Sequence, residues 1–86
     1  MKKYVKIQSV RNFVDFPVYK YRPASFAVCD IIDLCKKQNA KCNIIRVGDE
    51  EAKLCIIGKK EIIQSVINDF VSRNGIAFCI ELCHLW

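Results

Sequence analysis

At 86 residues the chain has room for one hydrophobic core, because a chain this short buries only about two thirds of its unfolded surface, and it is read as a single domain spanning 1–86. Hydrophobic residues at 52% and a mean hydropathy of +0.12 are high for a small domain, which predicts leftover apolar surface and self-association as a homodimer. The net charge of +5 admits an anionic partner, while no apolar run approaches the roughly 18 residues a membrane-spanning helix needs, so no membrane contact is expected.

The first segment, KYVKIQSV at 3–10, alternates Val5 and Ile7 with Lys6 and Gln8, the period of a half-buried strand. The preceding lysines resemble the start of a signal peptide, but Lys6 and Gln8 interrupt the apolar stretch and no small-residue cleavage site follows, so a cytoplasmic protein is expected. Residues 11–22 break the pattern. Pro23 then opens a helix at a first-turn position, where a missing N–H is tolerated. Ala24, Ala27, Val28, Ile31 and Cys35 share one face of it, with Asp30, Asp33 and Lys37 on the other, and it should end near Gln38 or Asn39. KCNIIRV and AKLCIIG, separated by GDEE, predict a hairpin turning at Gly48 and Asp49. Gly58 closes the second of these strands.

A second helix follows, in which Ile62, Ile63, Val66, Ile67, Phe70 and Val71 draw one apolar stripe. Gly75 is its expected left-handed C-cap, and IAFCIEL is the last strand, with Ile76, Phe78, Ile80 and Leu82 opposed to Ala77, Cys79, Glu81 and Cys83. The order strand, helix, strand, strand, helix, strand is the α+β, ferredoxin-like split βαβ arrangement: a four-stranded antiparallel sheet with both helices on one face. An alternative reading adds a fifth strand within 11–22. Either way one sheet face is left open, to be polar, to bind something, or to pack on another subunit.

Six cysteines are consistent with a disulfide scaffold, but they fall in helix and strand patterns, so reduced thiols acting as small buried hydrophobes are expected. Cys79 and Cys83 share a strand face yet lie about 13 Å apart in backbone rise, and His84 points the other way, so neither a metal site nor a cysteine–histidine catalytic pair is expected. No cofactor is implied.

The segment RNFVDFPVYKYRP has the most unusual composition, alternating Phe13, Phe16, Tyr19 and Tyr21 with Arg11, Lys20 and Arg22. Rings interleaved with cations suit a protein interface or a single-stranded nucleic acid, and the candidate binding residues are Arg11, Phe16, Tyr19, Lys20, Tyr21 and Arg22. Arg22-Pro23-Ala24 matches the start of the active-site helix in histidine-containing phosphocarrier proteins, but Lys20 stands at the place of the phosphorylated histidine, and that chemistry does not carry over. Gly58, Lys59 and Lys60 form a candidate anion-binding site at a strand-to-helix junction, where free N–H groups and the helix dipole favour negative charge. A Walker loop needs a longer glycine-rich cradle than this.

The chain is therefore expected to be a small non-catalytic binding or regulatory module. It would act through protein–protein contacts made by the open sheet face and the 11–22 loop. The alternative is a nucleic-acid-binding protein using that loop and the N-terminal lysines Lys2, Lys3 and Lys6.

Overall fold

A computed structural model describes residues 1–10 and 22–83; the predicted loop residues 11–21, including the alternative fifth strand there, lie outside them, as does His84. The elements are β1 (Lys2–Ser9), α1 (Ala24–Lys37), β2 (Lys41–Val47), β3 (Glu51–Ile57), α2 (Lys60–Asn74), a 3-10 turn (Gly75–Ala77) and β4 (Phe78–Cys83). The strands form one antiparallel sheet in the order β2-β3-β1-β4, which is the ferredoxin-like α+β fold.

Alternation places the core as the sequence predicts. Val5 and Ile7 of β1 and Ala52, Leu54 and Ile56 of β3 are fully buried beneath both helices. The predicted face of α1 is buried in full, with Leu34 added to it. In α2, Ile63, Val66, Ile67 and Phe70 are buried, but Val71 is 49% exposed. The stripe is thus narrower than its sequence, because Val71 lies at the rim of the helix away from the packed centre.

Helix ends are set by backbone chemistry. At the C-terminus of α1, Asn39 takes φ +59° and the Ala40 N–H reaches back to the Cys35 carbonyl at 2.8 Å, closing a Schellman-type cap with partly buried Ala40 against the core. Gly75 has the positive φ expected of it, +54°, but its ψ of −125° lies outside the left-handed helical region, in mirror-image extended space that glycine alone occupies readily. Pro23 is the N-cap of α1 rather than its first helical residue; with no N–H of its own it leaves Ala24 as the first donor, and that group bonds the Asp49 carbonyl at 2.9 Å. The hairpin loop is shorter than GDEE, since Gly48 N–H bonds the Glu51 carbonyl at 2.8 Å and Glu51 already belongs to β3.

A part-buried polar junction centred on Asn74 links the helices. Asn74, 9% exposed, donates from Nδ2 to Asp30 Oδ2 at 3.0 Å and to its own helix's Phe70 carbonyl at 3.1 Å, while Arg22 Nη1 donates to Asn74 Oδ1 at 3.0 Å. Asp30, expected on the wet face of α1, is instead half-buried in this junction. Nearby, Asp33 accepts from Lys37 at 3.1 Å and Arg73 at 3.4 Å. Those bonds, the Lys37 one foremost, hold its carboxyl below the ordinary carboxylate range although burial works against them.

Candidate functional site

The face of the sheet turned away from the helices, which no helix among the described residues covers, is assembled by register. Arg46 of β2 stands opposite Lys53 of β3, Lys53 opposite Lys6 of β1, and Lys6 opposite Glu81 of β4, so three cations sit side by side in one row across three strands. Neighbouring strands are about 4.8 Å apart, and like charges directly opposite each other destabilise a sheet. The structure relieves this in part: Glu51 lies between two of the cations, 3.6 Å from Lys6 and 3.9 Å from Lys53. Arg46 is exposed and, among the described residues, has no ion-pair partner.

The adjacent row is Asn43, Cys55 and Tyr4, and beyond it lie Lys41, Ile57 and Lys2. Tyr4 is half-buried at the middle of the face, and Cys55 beside it is only 5% exposed. On the other side of the cation row are Glu51, Gln8 and Cys79.

Positive charge lies on both sides of the sheet, but only on the open face does it form a row of paired positions. The open face holds Lys2, Lys6, Lys41, Arg46 and Lys53 against Glu51 and Glu81, an excess of three positive charges out of the chain's net +5. The helix side and its junctions hold Lys3, Arg22, Lys36, Lys37, Lys59, Lys60 and Arg73 against Asp30, Asp33, Glu61 and Asp69, also an excess of three. A further acidic group, Asp49 and Glu50, occupies the β2–β3 loop beside Arg46 and limits the basic surface on that side.

A second surface feature is apolar. The edge strand β2 leaves Ile44, Ile45 and Val47 at 50%, 51% and 45% exposure. Ile45 is the extra residue of a β-bulge between Ile44 and Arg46, a device that twists an edge strand and discourages uncontrolled pairing.

The residues singled out in the sequence are dispersed. Arg11, Phe16, Tyr19, Lys20 and Tyr21 lie outside the described residues. Arg22 is tied into the Asn74 junction, and its carbonyl accepts from Ser9 Oγ at 2.8 Å, so it has a structural duty. At the candidate anion site Lys59 and Lys60 are exposed, but the Gly58 N–H is already spent on the Met1 carbonyl at 3.1 Å and Glu61 stands in the first turn. Of the N-terminal lysines, Lys2 and Lys6 belong to the open face, while Lys3 alternates onto the helix side with Val5. Sequence reading missed Lys41, Arg46, Lys53 and Tyr4 as a group; the available signal was the phase of β3, where Lys53 alternates with the apolar Ala52 and Leu54.

The thiols do not behave uniformly. Cys35 and Cys55 are buried as expected, whereas Cys29 and Cys79 are exposed, the former on the rim of α1 and the latter on the open face. Cys35 of α1 and Cys42 of β2 share a thiol hydrogen bond, which lowers the pKa of Cys35 against the effect of burial and raises that of Cys42. Among the described residues, no group of three histidine, cysteine or acidic side chains converges as a metal site would require, and no helix is long and apolar enough to cross a membrane. Compared with known proteins, the chain matches no family model and no curated protein sequence.

Proposed function

We propose that the chain is a non-catalytic binding module whose open sheet face takes an anionic partner. The supporting observation is the row Arg46, Lys53 and Lys6, whose mutual repulsion Glu51 offsets in part. An arrangement that weakens the sheet in isolation becomes favourable when an anion lies along it. The test is retention on phosphocellulose. Arg46→Gln with Lys53→Gln should elute at clearly lower salt than the unmodified protein, and Lys59→Gln with Lys60→Gln, which removes the same charge from the start of α2, should elute close to it. Equal shifts for the two double variants would refute the placement of the site.

A second reading rests on β2. The half-exposed Ile44, Ile45 and Val47 on an edge strand favour a protein contact, including pairing with a second copy of the chain. Sedimentation across a range of concentrations, with Ile44→Lys as the comparison, tests it: a protein that stays monomeric throughout rules out the homodimer.

A further inference from the structure

We infer that Cys35 and Cys42 form a redox modification site, at which a small-molecule disulfide converts the two thiols into an intramolecular disulfide that ties the edge strand β2 to α1. The fold assembles the pair. Cys35, in the last turn of α1, is 2% exposed and faces the core; Cys42 lies opposite Ile56 in β2 and packs against the same core. Between them Asn39 takes φ +59° and the Ala40 N–H bonds the Cys35 carbonyl at 2.8 Å. The chain thus doubles back and carries Cys42 to the side chain of Cys35. Their sulfurs are already in hydrogen-bonding contact, so only a short movement separates them from the bonded S–S distance of about 2.0 Å.

Accessibility assigns the two roles. Cys42 is half-buried on an edge strand, where a small disulfide can reach it, whereas Cys35 is closed off. Cys42 Sγ attacks one sulfur of the reagent, the reagent's S–S bond breaks, and the Cys42 proton leaves with the released thiol. Cys35 Sγ then attacks Cys42 Sγ and breaks the mixed disulfide, and its proton leaves with the second thiol. Two protein thiols are oxidised while one small disulfide is reduced to two thiols. The S–H of Cys42 favours a thiolate at Cys35 before any reagent arrives, which shows that the surroundings of Cys35 tolerate the form needed for the second step.

The consequence falls on β2. Cys42 is the residue of this strand that packs against the core; Lys41 and residues 43–47 are exposed. Few buried contacts make a segment prone to local opening, and a covalent bond at Cys42 anchors β2 where its packing is thinnest. The bridge also restricts the unfolded chain, although a loop as short as 35–42 gains less from this than a long one.

The experiment equilibrates the native protein in glutathione buffers of increasing oxidised fraction and maps the cysteines by peptide mass spectrometry. Trypsin cuts after Lys36 and Lys41, and a further cut before Asp30 parts Cys29 from Cys35. Peptide 42–46 should be joined to the peptide ending at Lys36, and excess reduced glutathione should release it. The oxidised form should melt roughly 5–15 °C higher, and the amides of β2 should exchange with solvent about tenfold more slowly or better. Cys35→Ala should leave Cys42 as a lasting glutathione adduct, and Cys42→Ser should leave Cys35 unmodified. Either of two results in the unmodified protein, whose folding no substitution disturbs, overturns the site: Cys42 held as an adduct or linked to another cysteine while Cys35 stays reduced, or no link until denaturant is added. Unchanged exchange in β2 after the link has formed overturns the anchoring.

Discussion

Replacing Asn74 with Ala should destabilise the protein more than any other single change to its polar groups described above. The side chain is nearly buried and is bonded to an acid from α1, to a cation preceding α1, and to a carbonyl of α2. Truncation removes all of these bonds at once and leaves Asp30 and Arg22 facing a part-buried gap. A hydrogen bond to a charged group contributes about 1.5–3 kcal/mol, and a buried polar group left unpaired costs about 1–3 kcal/mol. Water entering the gap offsets part of the sum, so the expected loss is about 2–3 kcal/mol. For a domain of this size the whole stability is about 4–13 kcal/mol, and a loss of 2–3 kcal/mol lowers Tm by roughly 10–20 °C. The assay is thermal and urea unfolding followed by far-ultraviolet circular dichroism. Asp33→Asn is the control, because it also deletes contacts between the two helices, but at the exposed pairs with Lys37 and Arg73, where ion pairs contribute little. A Tm for Asn74→Ala within about 3 °C of the unmodified protein, or an equal loss in Asp33→Asn, would refute the reasoning.

Gly75→Ala should lower stability by about 1–3 kcal/mol in urea, entirely through backbone strain, since an added Cβ meets nothing within 4 Å; Gly58→Ala, with its Cβ 3.4 Å from that of Ala40 and no positive φ, should be close to neutral. Val66→Asp should unfold the protein, because a carboxylate at this fully buried position costs several kcal/mol, roughly the stability available, whereas Ser65→Asp on the rim of the same helix should fold; equal melting of the two would mean that the helix is out of phase. Brief iodoacetamide treatment of the native protein, read by peptide mass spectrometry, should modify Cys29 and Cys79 and spare Cys35 and Cys55 until denaturant is added. Equal labelling of all four would contradict their burial.

The order of elements, the buried faces of both helices and the inward set of β1 were legible in the sequence because each depends on local periodicity. Val5 and Ile7, or Ile63, Val66 and Phe70, repeat at the period of the element that carries them, and the backbone alone turns that spacing into a shared face. Gly75 was legible as the stop of α2 and as a positive-φ residue, but its ψ of −125° departs from the left-handed cap expected. Three features required the tertiary structure. The Asn74 junction joins residues 44 and 52 positions apart, and nothing local to Asn74 distinguishes it from an ordinary polar helix end. The bulge at Ile45 shifts the phase of β2 against β3, which a strictly alternating reading cannot register. The charge of the open face looked scattered along the chain, because Lys6, Arg46 and Lys53 become neighbours only when antiparallel pairing sets β1, β3 and β2 side by side. Periodicity decides which way a side chain points; register decides what stands next to it, and the candidate site is a property of register.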